Sequence, residues 1–148
     1  MSCHKPYKIL LWFHLSLLLL LSHAQLAQSG EKGIWLSDEV QLKLGDAFLR
    51  EKEYYRAITE YKKLLILFPD SEKADCAVFR VGLAYYKGEE YESCASSLSS
   101  FKARYPTSEN LIEAQYVEGL CLWKLKRYQS AMQTFDGIAG TYPDSPYG

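Results

Sequence analysis

The sequence predicts an all-α chain, an α–α superhelix of three helix–turn–helix repeats, and three sets of residues carry the prediction. Glycines at Gly45, Gly82 and Gly119, tyrosines at Tyr54, Tyr91 and Tyr128, and prolines at Pro69, Pro106 and Pro143 each step by 37 residues. A register kept over that many positions is the signature of a repeat array. Between the markers the same apolar columns return: Ala57, Cys94 and Ala131; Tyr61, Leu98 and Phe135; Phe68, Tyr105 and Tyr142.

Each unit reads as two short helices. Leu44, Phe48 and Leu49 precede a turn in the first copy, and Tyr54, Ala57, Ile58, Tyr61, Leu64 and Leu65 follow it as one apolar face at helical period. The second copy repeats this with Val78, Val81, Leu83 and Tyr85, a turn at Gly88, then Tyr91, Cys94, Leu98 and Phe101. The third does so with Tyr116, Leu120, Leu122 and Trp123, then Tyr128, Ala131, Phe135 and Ile138. No stretch reads as a strand. First helices are expected to begin at the Ser71, Ser108 and Ser145 column, where a serine can cap free amides and Glu72 and Glu109 suit the positive helix end. The prolines end the second helices, because proline lacks an amide hydrogen and disfavours helix in the residue before it.

A glycine paired with a small residue twelve positions later suggests two helices crossing closely: Gly45 with Ala57, Gly82 with Cys94, Gly119 with Ala131. Gly, an aromatic three residues on (Phe48, Tyr85), Tyr at plus nine, small at plus twelve, aromatic or Leu at plus sixteen and Pro at plus twenty-four resembles the tetratricopeptide repeat. The resemblance covers about Asp38 to Ser145, in units three residues longer than the usual 34. The joints Phe68-Pro69-Asp70-Ser71, Tyr105-Pro106-Thr107-Ser108 and Tyr142-Pro143-Asp144-Ser145 resemble those of a bacterial envelope subfamily. That subfamily includes the lipoprotein of the outer-membrane β-barrel assembly machine and the periplasmic cell-division coordinator. The third unit departs from the pattern, with Glu118 in the column of Leu44 and Val81 and Leu122 in place of the aromatic. Gln41, Val78 and Gln115 fill the family's tryptophan column.

Residues 1–24 read as a secretory signal peptide: Lys5 and Lys8, an apolar run from Ile9 to Leu21, and Ser22-His23-Ala24 as the small-residue exit. Cleavage is expected after Ala24. The run is short for a membrane span, which needs about 20 residues, and an uncleaved anchor is the alternative. No cysteine follows the run as a lipoprotein processing site would require. Residues 25–37 form a linker, and the units fall at about 38–71, 75–108 and 112–145. After them comes the start of an incomplete fourth repeat, consistent with a fragment of a larger protein or with self-association through the uncapped last unit.

Without the leader, 15 basic side chains remain of the 17, against 18 acidic ones. This balance argues against nucleic acid as a partner, and Lys124-Leu125-Lys126-Arg127 reads as a solvated turn. The three histidines, His4, His14 and His23, all lie in the leader. No imidazole is then left for a catalytic triad or a metal, no Cys-x-x-Cys or glycine-rich phosphate loop occurs, and neither enzyme activity nor a cofactor is expected. Cys76, Cys94 and Cys121 are an odd set in an oxidising destination. Cys94 is expected to act as a buried packing residue. Cys76 and Cys121, eight repeat positions apart or about 12 Å along a helix axis, are too far apart to bridge.

In stacked hairpins the first helices line the concave side. The candidate partner-binding residues there are Leu49, Arg50, Phe79, Leu83, Tyr86, Lys87, Tyr116, Leu120, Trp123 and Lys124, with Leu42 and Asp46 in the same columns. Aromatic and aliphatic groups edged by a row of cations suit an apolar or amphipathic protein segment with acidic flanks. Phe79, Tyr116, Tyr86 and Trp123 could instead complete packing between units. The resemblance does not extend to the carboxylate-gripping residues of chaperone-tail modules, whose columns here hold Leu42, Phe79 and Tyr116, and Asp46, Leu83 and Leu120. The expected role is an exported, non-catalytic scaffold in the periplasm, an accessory of outer-membrane assembly or cell division. The alternative is an adaptor tethered to the membrane and facing the periplasm.

Overall fold

A computed structural model describes residues 36–147, and within them every regular element is helical. The first repeat is α1 (Asp38–Arg50) and α2 (Tyr54–Leu67), and the second is α3 (Ala74–Lys87), α4 (Tyr91–Leu98) and α5 (Phe101–Arg104). The third is α6 (Leu111–Lys124) and α7 (Tyr128–Thr141). The leader, its cleavage point and most of the linker expected over 25–37 lie outside the described residues. No described helix is long and apolar enough to cross a membrane.

Packing runs from each helix to the next along the chain, α1 on α2, α2 on α3, α3 on α4, α4 on α6 and α6 on α7. The apolar columns supply the contacts. Ile58, Tyr61 and Leu64 of α2 bury against Ala77, Val81 and Ala84 of α3, and Ala95 and Leu98 of α4 share a core with Ala114 and Cys121 of α6. As expected, each second helix stops before its proline, at Leu67, Arg104 and Thr141.

The repeat glycines face a different partner from the one expected. A β-carbon on Gly45 would stand 2.4 Å from the Tyr61 ring, one on Gly82 2.5 Å from Leu98, and one on Gly119 2.4 Å from Phe135. Glycine therefore makes room for the large residue sixteen positions on. The small column twelve positions on, Ala57, Cys94 and Ala131, is fully buried but does not fill that gap.

The serine column does not cap the first helices, which begin three residues later. Ser71 and Ser108 accept from the backbone N–H of Lys73 and Asn110 in a tight turn, and their hydroxyls donate to Asp38 and Asp75 at the start of the preceding first helix. This bond ties the two ends of a repeat together. Ser145 makes the turn with Tyr147 N–H, but Ile112 occupies the aspartate column in the third repeat. Among the described helices only α1 has a side-chain cap, Ser37 accepting from Val40 N–H at 3.2 Å.

The second helix of the second repeat, expected to run on through Phe101, breaks after Leu98. Ser97 donates to the carbonyl of Ser93 and Ser99 to that of Ser96, and hydroxyls bonded back onto helix carbonyls compete with the backbone ladder. At the turns within each repeat, Lys52, Glu89 and Lys126 adopt φ of 63°, 63° and 61°. Gly88 has φ of −83°, so the left-handed residue is the one after it.

Cys94 is not a free packing residue. It is bonded to Cys121, with α-carbons 6.4 Å apart, and Cys76 is the free thiol among the described cysteines. The sequence reading weighed cysteines on like helices. Contact between repeats is instead made by a second helix against the following first helix, here α4 against α6.

Candidate functional site: a basic pocket on the first helices

Between the first and second repeats, a cavity of about 380 Å³ is lined by Leu49, Arg50, Lys52, Tyr54, Arg80, Leu83 and Lys87. Four cations surround three apolar groups, and no carboxylate is in the lining. Arg50 and Lys87 come from the last turns of α1 and α3, one repeat apart, which places their charges at the negative ends of both helices. Lys52 joins them because its left-handed turn reverses the chain there.

Arg80 is held from behind. Its Nε lies 3.6 Å from Asp46 Oδ1, and the same oxygen accepts from the Tyr61 hydroxyl at 2.6 Å. Burial, with the Asp46 hydrogen bond next in weight, raises the Tyr61 phenol far above its ordinary range, so it stays a donor. Arg80 Nε itself is buried and makes no hydrogen bond. A guanidinium held against Asp46 beside three further cations makes the pocket suited to a carboxylate or a carbonyl oxygen.

Of the residues the sequence pointed to, Leu49, Arg50, Leu83 and Lys87 meet in this pocket. Phe79 does not line it: at 2% exposed it belongs to the core between α3 and α6 and cannot reach a partner. Leu49 is also buried and presents only an edge. Tyr86 is half-buried against the Tyr91 ring, with centroids 6.0 Å apart, and Lys124 Nζ lies 5.9 Å from that ring's centroid. Tyr116 packs between Phe135 and Tyr147, at 5.7 and 4.7 Å. Leu42 is half-buried beside the first core and Leu120 is half-buried in α6. Trp123 is exposed, set edge-on to Tyr128 at 4.9 Å.

The sequence reading missed Lys52, Tyr54 and Arg80. Lys52 and Tyr54 fall outside the first helices to which it was confined, and Arg80 has no basic counterpart in the third repeat, where Val117 stands. Among the described residues, no group of acidic, histidine and cysteine side chains is placed to hold a metal.

Stacked hairpins of this register, with glycine against the plus-sixteen side chain, define an α–α superhelix of tetratricopeptide type. Residues 38–148 match the YfiO family, described as outer membrane lipoprotein, and the chain belongs to that family. Solved structures share the fold. MamA of AMB-1 is 20% identical with a TM-score of 0.61, over 82% of this chain and 63% of that one. The Rap conjugation gene regulator of plasmid pLS20, in complex with the Phr* peptide, is 24% identical with a TM-score of 0.59, over 70% of this chain and 31% of that one. The second TPR domain of human RPAP3, in complex with the HSP70 peptide SGPTIEEVD, is 18% identical with a TM-score of 0.60, over 75% of this chain and 91% of that one. The chain thus spans under two thirds of MamA and under one third of the Rap regulator. No curated protein matches the sequence.

Proposed function

We propose that the chain is an exported, non-catalytic protein-binding scaffold of the cell envelope, an accessory of outer-membrane assembly. In this reading, a partner's apolar segment with acidic flanks seats on the inner helices at the first two repeats. The pocket carries it. Arg50, Lys52, Arg80 and Lys87 converge on Leu49, Tyr54 and Leu83 with no acid in the lining, so the site repels further cations and is completed by a negative group beside an apolar one.

Further support comes from three directions. The family's description supports the envelope, and the Cys94–Cys121 bond suits an oxidising compartment. One structure of this fold is in complex with an acidic peptide, SGPTIEEVD. All histidines precede residue 24, which supports a role without acid–base chemistry of the familiar hydrolytic kind.

The test is a fluorescence titration of the purified chain with a labelled peptide of alternating Leu and Glu, and with the same peptide carrying Gln for Glu. The acidic peptide should bind, weaken steeply with added salt, and lose at least tenfold in affinity to the Arg50→Glu/Lys87→Glu variant. Equal binding of both peptides, or indifference to the double substitution, would show the pocket not to be the site.

A further inference from the structure

We propose that Tyr61 and Asp46, neither of which lines the basic pocket, are positioning residues that hold Arg80 in place for a partner's acidic group. This role rests on the pocket being the partner's site.

The chain of contacts starts in the core. Tyr61 is fully buried, with its ring in the space that Gly45 leaves, so its hydroxyl has a fixed position. Burial keeps the proton on the phenol, and the hydroxyl donates to Asp46 Oδ1 at 2.6 Å. That carboxylate oxygen lies 3.6 Å from Arg80 Nε, which is buried and makes no hydrogen bond of its own. The guanidinium is therefore steered by the charge of Asp46, and the Tyr61 hydroxyl fixes where that charge stands.

The next junction shows that the fold does not need these polar groups. One repeat on, the columns of Tyr61, Asp46 and Arg80 hold Leu98, Leu83 and Val117. Leu98 fills the space beside Gly82 as the Tyr61 ring does beside Gly45, and Leu98 and Val117 are 1% and 5% exposed. Packing thus accounts for a large side chain at position 61 but not for its hydroxyl. An apolar trio closes a junction without the desolvation cost of a buried phenol and a partly buried ion pair. What the polar trio adds is order, a long cationic side chain held before the partner arrives, so that less freedom is lost on binding. Among the described residues the trio occurs at the first junction alone, which confines the acidic-group site to the first two repeats.

Fluorescence titration with the labelled Leu/Glu peptide tests the role, at a temperature where circular dichroism shows every variant folded. Tyr61→Phe keeps the ring and should weaken binding roughly threefold to tenfold, the range for one long side chain that must be immobilised on binding. In an Arg80→Gln background the same change should cost nothing further, whereas a general loosening of the fold would cost as much in both. Asp46→Asn separates the two roles by sign. Removing a negative charge beside a basic pocket would by charge alone tighten an acidic peptide, while loss of Arg80's anchor weakens it, and a weakening of roughly threefold or more is expected. Unchanged affinity in Tyr61→Phe, an equal loss in the Arg80→Gln background, or tighter binding by Asp46→Asn overturns the positioning role while leaving the pocket as the site. If Arg50→Glu/Lys87→Glu binds as the wild type does, the pocket is not the site and the role of Tyr61 and Asp46 falls with it.

Discussion

The Cys94 and Cys121 sulfurs are bonded across the contact between α4 and α6, so the second and third repeats are joined covalently where their cores meet. The bond closes a loop over a separation of 27 residues. A loop of that length removes enough unfolded-state entropy to stabilise the fold by roughly 3–4 kcal/mol. Denaturant unfolding with and without reductant should differ by about that amount. Cys94→Ser/Cys121→Ser should unfold like the reduced wild type, and Cys76→Ser should leave the midpoint unchanged.

Gly45 and Gly137 are both helical glycines with opposite expected responses to alanine. At Gly45 the new carbon would meet the fully buried Tyr61 ring, which cannot withdraw, and Gly45→Ala should cost about 1–3 kcal/mol. At Gly137 nothing lies within 4 Å of the added carbon. There the usual helical preference for alanine applies, and Gly137→Ala should gain roughly 0.5–1 kcal/mol. Thermal melts of the two variants check both signs.

Glu89 holds a left-handed backbone at φ 63°, which costs a residue with a β-carbon about 1–2 kcal/mol. Glycine removes that strain and gives back part of the gain as unfolded-state freedom. Glu89→Gly should therefore stabilise by a few tenths of a kcal/mol, and Glu89→Val, with its branched carbon, should destabilise. Equal midpoints for the two variants would contradict the strain argument.

Glu118 occupies the column of Val81, and burial raises its carboxyl above the ordinary 4.5. The folded chain then holds this proton more tightly than the unfolded one. The contribution is complete below pH 4.5 and is lost as pH rises through the raised folded value. Glu39 works in the opposite sense. Hydrogen bonds from Lys73 and Lys43 lower it to about 2, so its contribution is present above 4.5 and is lost as pH falls toward 2. Glu118→Val should raise stability at pH 7 by about 1 kcal/mol, the low end for a polar group freed from a partly buried site. It should also flatten the decline above pH 4.5, as measured by urea unfolding across pH.

The period of 37 residues already contains the hairpins, their turns and the proline stops, because glycine, proline and the spacing of apolar residues act on the local backbone. The exposure of two cations in the inner row was legible in the same way. Arg50 and Lys87 sit at helix ends where long cations reach solvent, and their exposure follows from position alone. Phe79 was not legible in this way, because an aromatic on an inner helix serves a groove or a core according to where the neighbouring repeat lies.

Sequence alone thus determined the all-helical repeat architecture and the confinement of histidine to the first 23 residues, both of which follow from residue identity and period. Tertiary structure decided which large side chain fills the space beside each glycine, which cysteine bonds to Cys94, and that Lys52, Tyr54 and Arg80 complete the pocket with Arg50 and Lys87. Those outcomes depend on how far one helix is rotated and shifted against the next. That displacement comes from packing the whole stack and is not encoded at any single position.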